Sequence, residues 1–404
     1  MIYLFIEFLD ELVFGLGDAA WPLIRNDLGL TYAQIGILLS IPGLIANFIE
    51  PFIFILGDIW RRRVIILTGG ILFTLAMVLT ATSRNFVWLM LAFVLFNPSS
   101  GAFVSLSQGT LMDIDSKRHE QNMARWTFAG SLGVFLGPLL LGGLLSLGFG
   151  WRSGFWALAA LSTLVLIAAF RLVPHTGSSL SDFPTPRAFF DGLRSAISAL
   201  KEKAVLRWLL LLEFSDLMLD VLYGFLALYF VDVAGVAPAS AAFAVAIWTG
   251  FGLLGDFLLI PLVERIKGLD YLRVSVILEL ILFPLFLLSS VYWLKLVFLA
   301  LLGFFNSGWY AILKANLFTS LPGKTGAALA LDNVSGMFGK LIPLGIGLAA
   351  QTFGLGTAMW LLLAGPIALF LGMPHKRLPL PSGDGEGRGG GDTPTHRHPP
   401  KPGT

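Results

Sequence analysis

Cysteine is absent from the 404 residues, which excludes disulfides and cysteine-held metal sites from the outset. Charge is scarce as well: Asp, Glu, Lys and Arg make up 13% of the chain, against roughly a quarter in an average soluble domain. What fills the space is apolar. Hydrophobic residues account for 56% of the sequence and the mean hydropathy is +0.81. The chain is therefore an integral membrane protein. The apolar–polar alternation that a membrane barrel needs is missing, so the spans are helices of about 20 apolar residues each. No nucleophile–base set and no metal-ligand cluster stands out, so neither an enzyme nor a cofactor is expected. A net charge of +2 decides little, because the placement of charge matters more than its sum, and no nucleic-acid partner is expected.

Apolar runs separated by polar breaks fall at about 2–24, 33–56, 64–82, 87–110, 123–147 and 154–172, and again at about 206–230, 239–262, 272–290, 292–316, 327–350 and 356–374. Six plus six helices are predicted, with one bundle over 1–172 and a second over 206–375. The stretch 173–205 between them reads as a linker: loop-like from Pro174 to Pro186, then an amphipathic helix with Phe189, Leu193, Ile197 and Leu200 at helical spacing. The tail 376–404 is Gly-, Pro- and His-rich and is predicted to be disordered and cytoplasmic. No cleavable signal precedes the first run, which is expected to target the chain itself unless the start lies upstream.

The stretch from Glu7 to Arg63 is written twice. Shifted by 206 positions without a gap, Glu7 falls on Glu213, Asp10 on Asp216, Gly29 on Gly235, Glu50 on Asp256, Asp58 on Glu264 and Arg61 on Lys267. Carboxylates are rare inside apolar runs, so four coincidences at one offset point to duplication. A long internal repeat in a hydrophobic chain is the usual mark of a secondary transporter built from two related halves. With the amino terminus placed inside, fifteen basic residues fall in inner loops, among them Arg61, Arg62, Arg63, Arg265 and Lys267. Only Arg25, Arg84, Arg152 and Lys295 fall in outer ones. That bias places both termini in the cytoplasm.

Gly57-Asp58-Ile59-Trp60-Arg61-Arg62-Arg63 closes the second helix. Here the chain resembles the major facilitator superfamily, whose signature between helices two and three runs Gly, three residues, Asp, a basic residue, any residue, Gly, then two basic residues. Asp58, Arg62 and Arg63 fit; Phe54, Ile59 and Arg61 depart from it. The resemblance covers roughly residues 1–375 and implies a twelve-helix fold in two pseudo-symmetric halves. It also implies a conformational latch at Asp58, Arg62 and Arg63, with Glu264 and Arg265 as counterparts, because a carboxylate beside a basic cluster can pair charges across the halves. Gly130, Gly133, Gly137-Pro138 and Gly142-Gly143 on helix five are similar to the family's Gly-rich motif, commonest among drug and solute exporters, and suit close packing with a proline break. Gly150-Trp151-Arg152 also matches family usage.

The chemistry is expected among buried charges. Glu7, Asp10, Phe14, Asp18 and Trp21 share a face of helix one, and Glu213, Asp216, Asp220 and Tyr223 do so on helix seven. In the family those two helices border the central cavity. An ionisable group at membrane depth costs at least about 2.5 kcal/mol for Asp, so it is kept for use or for pairing. Asp10, Asp216 and Asp220, with Glu7 and Glu213, are the candidates for proton or cation coupling; Glu7 and Glu213 lie near the inner ends, where solvation alone would also account for them. Glu11, Glu50, Asp256, Glu279 and Asp332 add to the acid side, against Arg125, Lys314 and Lys340. Pro98 is expected to open helix four beside Asn97, and the matching Asn306 pairs with it as an uncharged part of the cavity or as helix–helix contacts. Lys340 is expected to pair with Asp216 or Asp220.

Together these observations describe a proton-coupled transporter working by alternating access in the cell membrane, as a monomer. Because withdrawal from water favours the neutral form of a carboxyl group, one group can carry a proton in one state and hold a cation in another. The acidic excess favours export of a cationic or neutral amphiphile. Two alternatives stay open: a symporter importing a polar or anionic solute with Lys314 or Lys340 as counter-charge, and a non-transporting receptor or assembly protein.

Overall fold

A computed structural model describes residues 1–59, 61–114, 119–173, 202–263, 265–320, 336–337 and 339–374. Residues 1–372 form one compact unit; the second unit, 373–404, contributes only Met373 and Pro374 to the described residues. The predicted linker helix up to Lys201, the tail 376–404 and Asp332 lie outside them.

The first half comprises α1 (Ile2–Leu28), α2 (Tyr32–Ile59), α3 (Arg62–Thr82), α4 (Phe86–Ser100) running through a widened turn at Gly101–Ser105 into α5 (Leu106–Ile114), then α6 (His119–Ser146) and α7 (Trp151–Leu172). The second comprises α8 (Lys203–Asp216) joined through a widened turn at Leu217–Val221 to α9 (Leu222–Asp232), then α10 (Pro238–Val263), α11 (Gly268–Leu288), α12 (Tyr292–Asn306) and α13 (Trp309–Thr319). It ends with α14 (Ile342–Phe353), α15 (Leu355–Ala358) and α16 (Ala364–Gly372). Nine helical stretches among the described residues are long and apolar enough to cross a membrane. The first helix is not one of them by composition, since Glu7, Asp10, Glu11 and Asp18 all lie within it.

The sequence repeat is also a structural one. α3 and α11 begin and end 206 residues apart, and so do α4 and α12. The turn after the first helix is closed by Gly29 at φ 61°, and its counterpart Gly235 has φ 69°, a left-handed conformation that glycine adopts without a Cβ penalty. The repeated acids Glu50 and Asp256 each reach the neighbouring helix break, at positions one residue out of register. Glu50 of α2 packs over Gly101 at the widened turn after α4, and Asp256 of α10 accepts the Gly308 N–H at 3.1 Å, beyond the end of α12.

Within the first half, α1 and α6 touch backbone to backbone. A Cβ on Gly133 would lie 2.5 Å from the Phe8 carbonyl oxygen, and one on Gly137 would lie 2.5 Å from Leu16 N. Gly133 and Gly137 sit at this crossing, and Pro138 does not break its helix: α6 runs through it, and the ring lies against Gly15. Gly137→Val should cost about 1–3 kcal/mol or more, because the obstacle is backbone that cannot swing away. Gly143→Ala, placed in open space, should cost little. Thermal unfolding in detergent checks this; a wild-type midpoint for Gly137→Val would contradict it.

Lys295 departs from its expected place in an outer loop. It is buried in α12, where its ammonium donates to the Phe286 carbonyl and the Tyr229 hydroxyl, each at 2.7 Å, and lies 4.9 Å from the Tyr229 ring centre. It satisfies carbonyls at the end of α11.

Candidate functional site

The halves meet most closely at the end of the bundle that carries Arg25. There Arg25 of α1 pairs with Asp232 of α9 at 2.8 Å, the Tyr32 hydroxyl donates to the same carboxylate at 2.8 Å, and the Tyr32 N–H donates to the Gln351 side-chain oxygen at 3.1 Å. Arg25 also stacks over Tyr32, 4.3 Å from the ring centre. One to three turns deeper, α2 crosses α14. A Cβ on Gly36 would lie 2.8 Å from the Pro343 oxygen, one on Gly347 would lie 2.5 Å from the Tyr32 oxygen, and the Leu344 N–H donates to Ser40 Oγ at 3.0 Å. Leu39 packs on Gly224, and Phe135 of α6 on Gly250 of α10. This end is closed.

Below the closure, acids of the two halves come within electrostatic range. Glu11 and Asp18 on α1 act on each other and on Asp220 of the widened turn in the second half, and all three act on Tyr223 of α9. Asp18 accepts the Trp21 Nε1–H at 3.1 Å, and Tyr223 stacks on Trp248 with ring centres 5.4 Å apart. Asp220 is exposed and Asp18 half-buried, so solute or water can reach them. Lys340 enters from α14's side: its aliphatic stem lies over Gly43 of α2, and its charge acts on Asp18 and Glu50. Three carboxylates, a phenol, an indole wall and one lysine can bind a proton or an amphiphilic cation.

A family model described as the Major Facilitator Superfamily matches residues 3–344. The chain belongs to the Major Facilitator Superfamily. It is 25% identical over 304 residues to the quinolone resistance protein NorA of Staphylococcus aureus (strain MSSA476), covering 74% of this chain and 76% of that one. To the uncharacterized MFS-type transporter YbcL of Bacillus subtilis (strain 168) it is 23% identical over 213 residues, 53% of this chain and 52% of that one. Among solved structures, the nucleoside transporter NupG superposes with a TM-score of 0.74 at 14% identity, covering 92% of this chain and 96% of that one. A bacterial homolog of the human lysosomal transporter Spinster gives 0.71 at 18% identity, covering 92% and 94%. The protein is thus a multi-pass, all-helical facilitator-type transporter of small molecules, not an enzyme.

Within this fold the expected site residues separate. Asp10 turns away from the second half: it is buried, accepts the Ser100 hydroxyl at 2.9 Å and lies near Glu50. Glu7 is buried too, packed over Gly130 of α6. Glu213 packs over Gly339, and Asp216 is half-buried and engaged with a partner. Pro98 leaves α4 helical, and the widening follows at Gly101. Asn97 bonds back to the Phe93 carbonyl at 3.0 Å, whereas Asn306, buried, donates to the Met218 carbonyl at 3.1 Å. Asn97 thus bonds within its own helix, whereas Asn306 ties the end of α12 to the widened turn at Leu217–Val221. Lys314 bonds and stacks on Tyr310. Lys340 forms no ion pair with Asp216 or Asp220 among the described residues, because its stem carries it over Gly43 towards the first half's acids.

Of the latch, Arg62 donates to the Gly57 carbonyl at 3.4 Å, Arg63 donates to the Phe170 carbonyl at 2.5 Å, and Arg265 is exposed. Glu264 and the Asp58 side chain lie outside the described residues. Glu11 is the residue that the chosen face of helix one missed. Glu11 and Asp18, two turns apart on α1, are the pair within electrostatic range of Asp220 in the second half, while Glu7 lies over Gly130 of α6 and Phe14 against Phe96 of α4.

Proposed function

We propose that the protein is a proton-coupled exporter of cationic or neutral amphiphilic compounds, working by alternating access in the cell membrane as a monomer. One observation carries this reading: the carboxylates of both halves, Glu11, Asp18 and Asp220, gather around Tyr223 below a closed end, with Lys340 as the cation acting on Asp18. A surplus of acids in a membrane interior is stable when protons or a cationic solute neutralise it. Relatives named for quinolone resistance support export, since a membrane transporter confers resistance by removing the drug. The basic residues Arg61, Arg62 and Arg63 support a cytoplasmic position for the open end, with both termini inside and the Arg25 end facing out. On this reading the chain has twelve spans, six in 1–172 and six in 206–375. Asp10 and Asp216 hold protons behind the cavity, and Asp58 latches the opposite conformation.

A screen in proteoliposomes with an imposed pH gradient tests the substrate class. Lipophilic cations and neutral amphiphiles should accumulate in acid-loaded vesicles, while anions should not. Accumulation of anions driven by protons entering with them would replace this reading with import, Lys340 serving as counter-charge.

A further inference from the structure

One acid has no place in the site between the halves. Glu279 lies twelve residues into the 21-residue helix α11 and is 0% exposed, and neither carboxyl oxygen has a hydrogen-bond partner among the described residues. Its counterpart 206 residues earlier is Phe73, fully buried against Phe96 and Phe103 with ring centres 5.1 and 5.8 Å apart. The second half therefore carries a carboxyl group where the first half carries plain apolar core. A lone carboxylate in such a position is costly, and taking up a proton relieves the cost.

Glu279 is also connected. Tyr271, Ser275 and Glu279 follow one another at four-residue steps and so line one face of α11, neighbouring side chains standing about 5–6 Å apart. The Tyr271 hydroxyl lies 3.3 Å from the Phe305 and Ser307 carbonyls, and Ser275 Oγ accepts the Trp309 Nε1–H at 2.8 Å. Both contacts fall on the break between α12 and α13, where Gly308 has φ 73° and its N–H is held by the exposed Asp256. Tyr271 lies within electrostatic range of Asp256 at one end and of Glu279 at the other. From the same break, Asn306 reaches the Met218 carbonyl in the widened turn that holds Asp220.

The other titratable groups on packed elements are occupied elsewhere. On α12, Tyr292 donates to the Ser240 carbonyl and Lys295 to Phe286 and Tyr229. On α13, Lys314 is held by Tyr310. The segment Met359–Gly372, also packed on α11, contains no titratable residue.

We propose that Glu279 is a proton-binding site of the second half, separate from the acids between the halves, whose charge sets the conformation of the α12–α13 break. The ligand is a proton, because the group is enclosed and no cluster of acids or histidines that could hold a metal ion occurs among the described residues. This goes beyond the proposed transport cycle and does not depend on its substrate.

The cysteine-free chain makes the test direct. Leu39→Cys, under the closed end, reports opening of that end by its alkylation rate in reconstituted full-length protein. The rate should change with pH at least about fivefold, and Glu279→Gln, which fixes the shape of the neutral acid, should remove most of that change, while Glu279→Asp keeps part of it. Dicyclohexylcarbodiimide, which attacks protonated carboxyls in apolar surroundings, should label Glu279 at low pH and progressively less as pH rises, read by peptide mass spectrometry. A pH response that survives Glu279→Gln unchanged, no pH response in the parent, or labelling at Glu279 that ignores pH would each overturn the proposal. Loss of proton-driven flux in Asp10 or Asp216 variants with Glu279 intact bears only on the transport reading, so the two fail separately.

Discussion

Gly36→Leu should abolish transport while leaving the protein inserted in the membrane. The position is a crossing point of the two halves: a Cβ there would lie 2.8 Å from the Pro343 oxygen and 3.0 Å from Leu344 Cα, both backbone atoms. Relief requires moving α2 from α14, and that separation undoes the Ser40–Leu344 bond and strains the Arg25–Asp232–Tyr32 contacts above it. The conformation closed at this end is then lost from the cycle. A penalty of about 5.5 kcal/mol is enough to turn a 99:1 population into 1:99, and a leucine wedged between two backbones is a change of that order. Alkylation of Leu39→Cys from the Arg25 side should become fast and insensitive to substrate. Gly143→Ala, whose added Cβ meets nothing within 4 Å, is the control and should transport normally. Wild-type flux in Gly36→Leu would show that this crossing does not have to close.

The second large effect is expected at the buried acids behind the cavity. Asp10→Asn and Asp216→Asn should each reduce proton-driven accumulation at least about tenfold, a change of about 1.4 kcal/mol in coupling, while substrate still equilibrates down its own gradient. Asp10 is only 6% exposed and is held by Ser100 at 2.9 Å, so the amide fits the space and keeps a hydrogen bond but can no longer release a proton. Asp216 is its repeat counterpart in the other half. The split between accumulation and equilibration is the decisive readout, because simple loss of packing would depress both. Unchanged accumulation in both single variants and in the double variant would remove these residues from coupling and leave Glu11, Asp18 and Asp220.

The legible part of this molecule is what membrane burial makes rare. Carboxylates inside apolar runs stand out against their surroundings, and so the offset that superposes Glu7 on Glu213 and Glu50 on Asp256 is visible in the sequence and returns as matched helix bounds. Direction is harder to read. Asp10 and Glu11 are adjacent in sequence and lie about 100° apart around the helix, so Asp10 meets Ser100 while Glu11 lies over Gly130 and Gly133 of α6, within electrostatic range of Asp220 in the second half. Which of them faces the partner is fixed by the α1–α6 crossing at Gly133 and Gly137, a tertiary fact. Asparagines fail for another reason: a side-chain amide in a helix can satisfy itself on the carbonyl one turn back, as Asn97 does, and spacing does not reveal the choice. Lys340 illustrates the reach of a long side chain. Its stem over Gly43 decides which acids feel its charge, and no one-dimensional pattern records that contact. Gly36 and Gly347 were hidden among 45 glycines, most of which meet no such crossing.

The central claim is that substrate and proton move in opposite directions through one site. The most direct measurement is lumenal pH in proteoliposomes loaded acid, with a trapped pH-sensitive dye, when a lipophilic cation is added outside. Exchange requires the lumen to become alkaline as the cation enters, in proportion to substrate, and requires the signal to vanish in the Asp10→Asn, Asp216→Asn double variant. Cation entry with no proton leaving, or acidification of the lumen on substrate addition, would contradict the account.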